Sequence, residues 1–138
     1  MLELMKMSKM NPESFDTFVS SKGFVFIGDV NDTNYEGVQY AIDYNPDDKK
    51  ALKFVTLFSR HYNHRFGLNY QTLSNTEYVN LKNQIKGLGF KYLYSESYSI
   101  DEMPHKSFTY GSGKSLLTFI TSLNKYQITY TEGLKFDQ

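Results

Sequence analysis

The chain has 138 residues, the size of one ordinary domain, and its 15 basic and 15 acidic side chains cancel to a formal net charge of zero. That balance removes the electrostatic footprint of a nucleic-acid or anionic-membrane binder, and the absence of cysteine excludes disulfides, thiolate catalysis and Cys-ligated zinc. Tyrosine (12) and phenylalanine (11) are abundant and tryptophan is absent, a bias that favours strands.

Leu2–Met7 predicts a short opening helix. Residues 1–10 are interrupted by Glu3, Lys6 and Lys9, where a secretory signal would be continuously apolar. No run approaches the roughly 18 apolar residues needed to cross a bilayer, so membrane insertion is not expected. Either the chain is cytoplasmic or a signal has been removed. Asn11-Pro12-Glu13 predicts a helix start, with Asn as the cap, Pro at the first helical position and an acid in the first turn. Phe15, Phe18 and Val19 then fall at i, i+3, i+4, and Gly23 is the stop. A second such helix begins at Ser74 or Asn75, carries Tyr78, Leu81, Ile85 and Leu88, and stops at Gly87 or Gly89.

After each helix the apolar period changes from 3.6 to 2. Strands are predicted at 23–29, 37–45, 52–59 and 64–72, then at 90–95, 107–110, 116–123 and 126–132. Turn chemistry separates them at 31–34, 45–48, 111–113 and 124–125. Lys49-Lys50-Ala51-Leu52-Lys53 reads as the charged turn of a hairpin. In the third strand Leu52, Phe54, Thr56 and Phe58 are expected to face the helices, matching Leu117, Phe119, Thr121 and Leu123, with Lys53, Val55 and Leu57 on the other side.

The two halves echo one another. Residues 49–56 match 114–121 at an offset of 65, Gly23-Phe24-Val25-Phe26 matches Gly89-Phe90-Lys91-Tyr92 at 66, 40–44 match 106–110 at 66, and 65–70 match 125–130 at 60. The expected fold is therefore α+β: a single domain with internal duplication (about 1–72 and 73–138), each repeat a helix plus a four-stranded antiparallel meander. Together they form one larger antiparallel sheet with helices on one face, and Phe54 and Phe119 occupy equivalent, well-buried positions.

Helix followed by four strands, twice, with the Gly-Phe-x-aromatic entry, resembles the tandem-repeat fold of the β-lactamase inhibitor protein and its relatives among exported bacterial proteins. The resemblance covers about 12–132. It implies a periplasmic or secreted location after signal removal. Those inhibitors carry disulfides and this chain has no cysteine, so no inhibitory residue is carried over.

Gly111-Ser112-Gly113-Lys114-Ser115 ends like a phosphate-binding loop, but the upstream glycine is replaced by Phe108 and a strand follows where a helix should open. It reads as a hairpin turn. His61, His64 and distant His105 are too sparse to form a metal site, and His61 and His64, three apart in a strand or turn, share no face. Neither a hydrolase motif nor a fixed pair of carboxylates is present. No catalytic residue, cofactor or metal is expected.

The leading expectation is a non-enzymatic protein- or peptide-binding, inhibitor-like module. Its binding residues would be Val55, Leu57 and Ile120 on the sheet face opposite the helices, with Tyr98, Ile100 and Met103 in a polar loop over 95–105 at its rim. The alternative is a structural or assembly subunit that self-associates through sheet edges or the open sheet face.

Overall fold

A computed structural model describes residues 1–31, 35–60 and 66–133. Most of the turn expected at 31–34 lies outside the described residues, as do His61 and His64. The elements in chain order are α1 (Leu2–Met7), α2 (Pro12–Ser21), β1 (Val25–Asn31), β2 (Tyr35–Ile42), β3 (Lys53–Arg60), β4 (Phe66–Thr72) and α3 (Asn75–Gln84). A 3-10 turn (Ile85–Gly87) follows, then β5 (Lys91–Ile100), β6 (Met103–Ser112), β7 (Ser115–Ser122) and β8 (Lys125–Glu132).

Both longer helices start on the expected caps. Asn11 Oδ1 accepts the Ser14 backbone N–H at 2.8 Å, and Ser74 Oγ accepts that of Glu77 at 3.1 Å. Each leads to a glycine with positive φ, Gly23 (+92°) and Gly89 (+82°), a conformation other residues adopt only with strain.

All eight strands form one antiparallel sheet in the order β1-β2-β3-β4-β8-β7-β6-β5. Two meanders thus meet along a single seam, β4 against β8, leaving β1 and β5 as edges. Each edge strand carries a bulge near its start, between Phe26 and Gly28 and between Tyr92 and Tyr94. Such bulges bend an edge away from unwanted pairing.

Directly paired residues share a face, so the register decides what the helices cover. One row runs Tyr40, Val55, Tyr70, Ile128, Phe119. With Phe15 and Val19 of α2, Leu4 and Met7 of α1, and Tyr78 of α3, these residues form the core.

Two expectations are corrected here. Val55 is only 1% exposed and Leu57 packs against the core, so both lie under the helices and not on an open face. Phe54 pairs with Ala41 and Gln71 and lies on the opposite face from Phe119, half-buried, whereas Phe119 is wholly buried. The physical reason is parity: an offset of 65 is odd, and one residue of register turns every strand side chain to the other face.

The polar loop expected at 95–105 is instead the end of a long hairpin. β5 and β6 pair from Lys91↔Gly111 to Ile100↔Met103 and are joined by Asp101-Glu102, both at positive φ (51° and 66°) as a two-residue hairpin turn demands. Pro104 is tolerated because it lies ahead of the β6–β7 pairing, which begins at Lys106.

Candidate functional site: the uncovered sheet face

The face away from the helices includes two cross-strand rows rich in polar side chains. Gln39, Thr56, Asn69, Thr129, Thr118 and Thr109 make one, and Ala41, Phe54, Gln71, Gln127, Ile120 and Ser107 the other. Central strands sealed on both sides would be apolar at these alternate positions. Asn69, Gln71, Gln127 and Thr129 mark this side as open.

The face is concave. Thr56, Thr109 and Ser107 are 6%, 3% and 6% exposed although they lie on the face away from the helices, and one hollow reaches along this face from β1 to β6. Gly37, Gly67 and Gly111 fall in one further row of this face, interleaved with Phe58, Thr131 and Leu116. A Cβ on Gly37 would stand 2.2 Å from the Leu57 carbonyl oxygen, and one on Gly67 2.1 Å from that of Tyr130. Only glycine permits backbones to approach so closely, and a row of them lets a sheet bend. Phe58 lies between Gly37 and Gly67 in this row.

The result is a groove of about 720 Å³ whose lining runs from Ile27 in β1 to Met103 and His105 in β6. Phe54 and Ile120 supply apolar floor. Gln127 Nε2 donates to Thr129 Oγ1 at 3.3 Å, and Thr129 Oγ1 to Asn69 Oδ1 at 3.4 Å. The side chains of Gln39 and Gln71 make no hydrogen bond among the described residues. Around the groove stand Lys49, Lys50, Lys125 and His105, and among the described residues its lining contains no carboxylate.

The residues expected to bind divide accordingly. Ile120 lines the groove and Met103 stands at its β6 end. Tyr98 stacks on His105 (centroids 5.3 Å apart, planes 15° apart) beside it, and Ile100, half-exposed, pairs with Met103. Val55 and Leu57 belong to the core. Sequence reasoning missed the glutamines and lysines, although amides at alternate positions of central strands were a usable signal.

A second hollow, about 760 Å³, lies between the helices and the sheet. Most of its polar groups are engaged with one another, although Glu77 Oε1 is buried without a hydrogen-bond partner among the described residues. Glu77 Oε2 accepts Tyr70 Oη at 2.8 Å and Lys53 Nζ at 3.1 Å, which ties α3 to β3 and β4. Burial would raise the Glu77 carboxyl, but the hydroxyls of Thr72 and Tyr70 and the Lys53 ammonium outweigh it and hold the group below its ordinary range. The Tyr70 hydroxyl is pushed up, first by burial and then by Glu77. Both shifts move away from neutrality, the reverse of what acid–base chemistry requires. A charged tie thus spans this hollow.

A parallel tie holds the end of β8. Glu132, 7% exposed, accepts Tyr130 Oη at 3.0 Å and Lys114 Nζ at 3.1 Å, with Lys9 Nζ at 3.6 Å. Lys114 is thereby engaged in a turn between two strands, and β7 follows it, so the Gly-Lys-Ser sequence is a hairpin as expected. Burial raises the Glu132 carboxyl while Lys114, Tyr130 and Lys9 lower it further. A carboxylate depressed in the folded state contributes stability that is full above its unfolded value near 4.5 and is lost as pH falls through the lower folded value. The melting temperature should be flat above pH ~6 and fall steeply below pH ~4. Glu77→Gln with Glu132→Gln should lower the neutral plateau and flatten that acid limb; an unchanged limb would show that the ties contribute nothing.

Among the described residues no helix is long and apolar enough to cross a membrane, and no cluster of three or more His, Asp or Glu could hold a metal. No protein-family model, curated protein or solved structure matches the chain.

Proposed function

We propose that the chain is a non-enzymatic protein- or peptide-binding module of inhibitor-like type that receives its partner in the concave face of the sheet. The observation that carries this reading is the groove itself: unpaired amides beside an apolar floor on the one face the helices leave open. In the helix-side hollow the one buried carboxylate oxygen left unpartnered among the described residues, Glu77 Oε1, belongs to a group already tied through Oε2 to Tyr70 and Lys53.

An internal duplication belongs to the same reading. Its supports are the helix caps Asn11 and Ser74, the positive-φ glycines Gly23 and Gly89, and a bulge following Phe26 in one half and Tyr92 in the other. The pairing Asn69↔Thr129 across the seam, with Thr56 beside Asn69 and Thr118 beside Thr129, sets Val55 and Leu57 in the places of Leu117 and Phe119. That offset is 62, an even number that keeps the faces. Export follows from the resemblance to exported inhibitor proteins and is checked by cell fractionation.

Selection of random 12-residue peptides on the immobilised chain tests the binding reading. The selected peptides should bind Ile120→Glu at least ~10-fold more weakly, a loss of about 1.4 kcal/mol, while the variant melts as the parent does. Failure to select any peptide, or selection of peptides indifferent to this change, would overturn it.

One observation favours the assembly alternative: β5 is ten residues long, exposed along nearly all its length, and has Tyr94 and Ile100 on one side of an unpaired edge. Under that reading the mass in sedimentation equilibrium rises with concentration. A constant monomer mass rejects it.

A further inference from the structure

Resting on the groove as the docking site, we infer that its occupant is an acidic segment of a partner protein: an extended stretch with carboxylates at both ends of a short apolar centre. The chain as a whole is neutral, yet the groove has Lys49, Lys50, Lys125 and His105 around it and, among the described residues, no acid in its lining. Several of the balancing carboxylates are drawn to the helix side, Glu77 by Lys53, Glu132 by Lys114 and Lys9, and Asp16 by Tyr40. The three groove lysines make no ion pair among the described residues and are exposed.

Their placement is specific. Lys49 and Lys50 come from the β2–β3 connection, which its own hydrogen bonds hold in shape. Asn45 N–H donates to the Lys50 carbonyl at 2.8 Å, Lys49 N–H to the Asn45 carbonyl at 2.8 Å, and Lys50 N–H to Asp48 Oδ1 at 3.0 Å. Lys125 opens β8, and His105 stands in β6. Between the β2–β3 connection and His105 runs the row Phe54, Gln71, Gln127, Ile120, one residue from each of β3, β4, β8 and β7, with Lys125 alongside it on β8. At about 4.8 Å per strand that row spans roughly 14 Å, the length of four or five extended residues. A peptide laid across it puts apolar side chains against Phe54 and Ile120 and its backbone amides within reach of the free donors and acceptors of Gln71. Carboxylates at its two ends then meet Lys49 and Lys50 at one end and Lys125 with His105 toward the other. An anionic polysaccharide or a nucleic acid would satisfy the lysines but bring no aliphatic group to the apolar floor, so a protein segment fits better.

The same 12-residue library distinguishes this inference from the docking reading. Peptides selected by the parent chain should be enriched at least ~3-fold in Asp and Glu over the unselected library, and raising salt from 0.05 to 0.5 M should weaken the synthesised hits ~10-fold or more. The triple variant Lys49→Glu, Lys50→Glu, Lys125→Glu, altered only at exposed positions, should keep its melting temperature and select Lys- and Arg-rich peptides instead. Neutral or basic hits that still lose binding to Ile120→Glu would leave the groove as a docking site and overturn its acidic preference. Failure to select at all would overturn both. Binding of a sulfated oligosaccharide or a thymidine oligonucleotide that is lost in the triple variant, without acidic peptides among the hits, would assign the charge to another polymer and overturn the inference.

Discussion

Val55→Glu is expected to abolish cooperative folding, costing at least ~4 kcal/mol, whereas Ile120→Glu keeps the melting temperature within about 5 °C of the parent. Val55 is 1% exposed in the row that joins Tyr40, Tyr70 and Ile128 beneath the helices. A carboxylate there either remains unpaired in that core or draws Lys53 away from Glu77, and a buried charge is then left unpaired in both cases. Set against a total stability of about 5–15 kcal/mol, such a loss approaches the whole. Ile120, on the opposite face, borders the groove, where a carboxylate can reach water. Far-UV circular dichroism and guanidinium titration of the two variants check the assignment of faces. A folded Val55→Glu would show that the helices do not seal this row.

Gly67→Ala should be nearly as damaging, at about 3 kcal/mol, a fall in melting temperature of roughly 10 °C for a chain of this size. The added carbon would lie 2.1 Å from the Tyr130 carbonyl oxygen and 3.0 Å from the Thr131 Cα, so neighbouring backbone must move and cannot be relieved by a side-chain rotamer. The strands forced apart are β4 and β8, and their pairing is the one ladder joining the two meanders. Gly87→Ala is the control, since a Cβ there meets nothing within 4 Å and the backbone is not at positive φ. Thermal denaturation of the pair gives the comparison. An unchanged Gly67→Ala would mean that the seam tolerates separation and that the glycine row does not set the curvature.

Much of the architecture was legible in the amino-acid order because the signals are local. Asn11-Pro12 and Ser74 cap their helices through contacts three residues away, Gly23 and Gly89 end them through a conformation open to glycine, and the change to period two announces strands. The α+β class, the eight strands and their antiparallel pairing follow from such features. Ser95 to Ile100 escaped notice because an edge strand half in water reads like a loop: its serines alternate with Glu96, Tyr98 and Ile100, a period-two pattern easily taken for polarity alone.

Which face became core was not legible. In β3, Phe54 and Phe58 on one side and Val55 and Leu57 on the other are equally apolar, so the strand's own residues do not choose between them. The choice is made by pairing across the sheet, where Val55 joins Tyr40, Tyr70, Ile128 and Phe119 from four other strands. The groove depends on longer range still. Lys49 and Lys125 are separated by 76 positions in the chain yet border one hollow, because the symmetric strand order brings the β2–β3 and β7–β8 connections to the same end of the sheet. Residue types and periods determined the elements of this protein; the register of β4 on β8, and the bend allowed by Gly37, Gly67 and Gly111, decided what those elements enclose, because both arise from contacts between residues far apart in the chain.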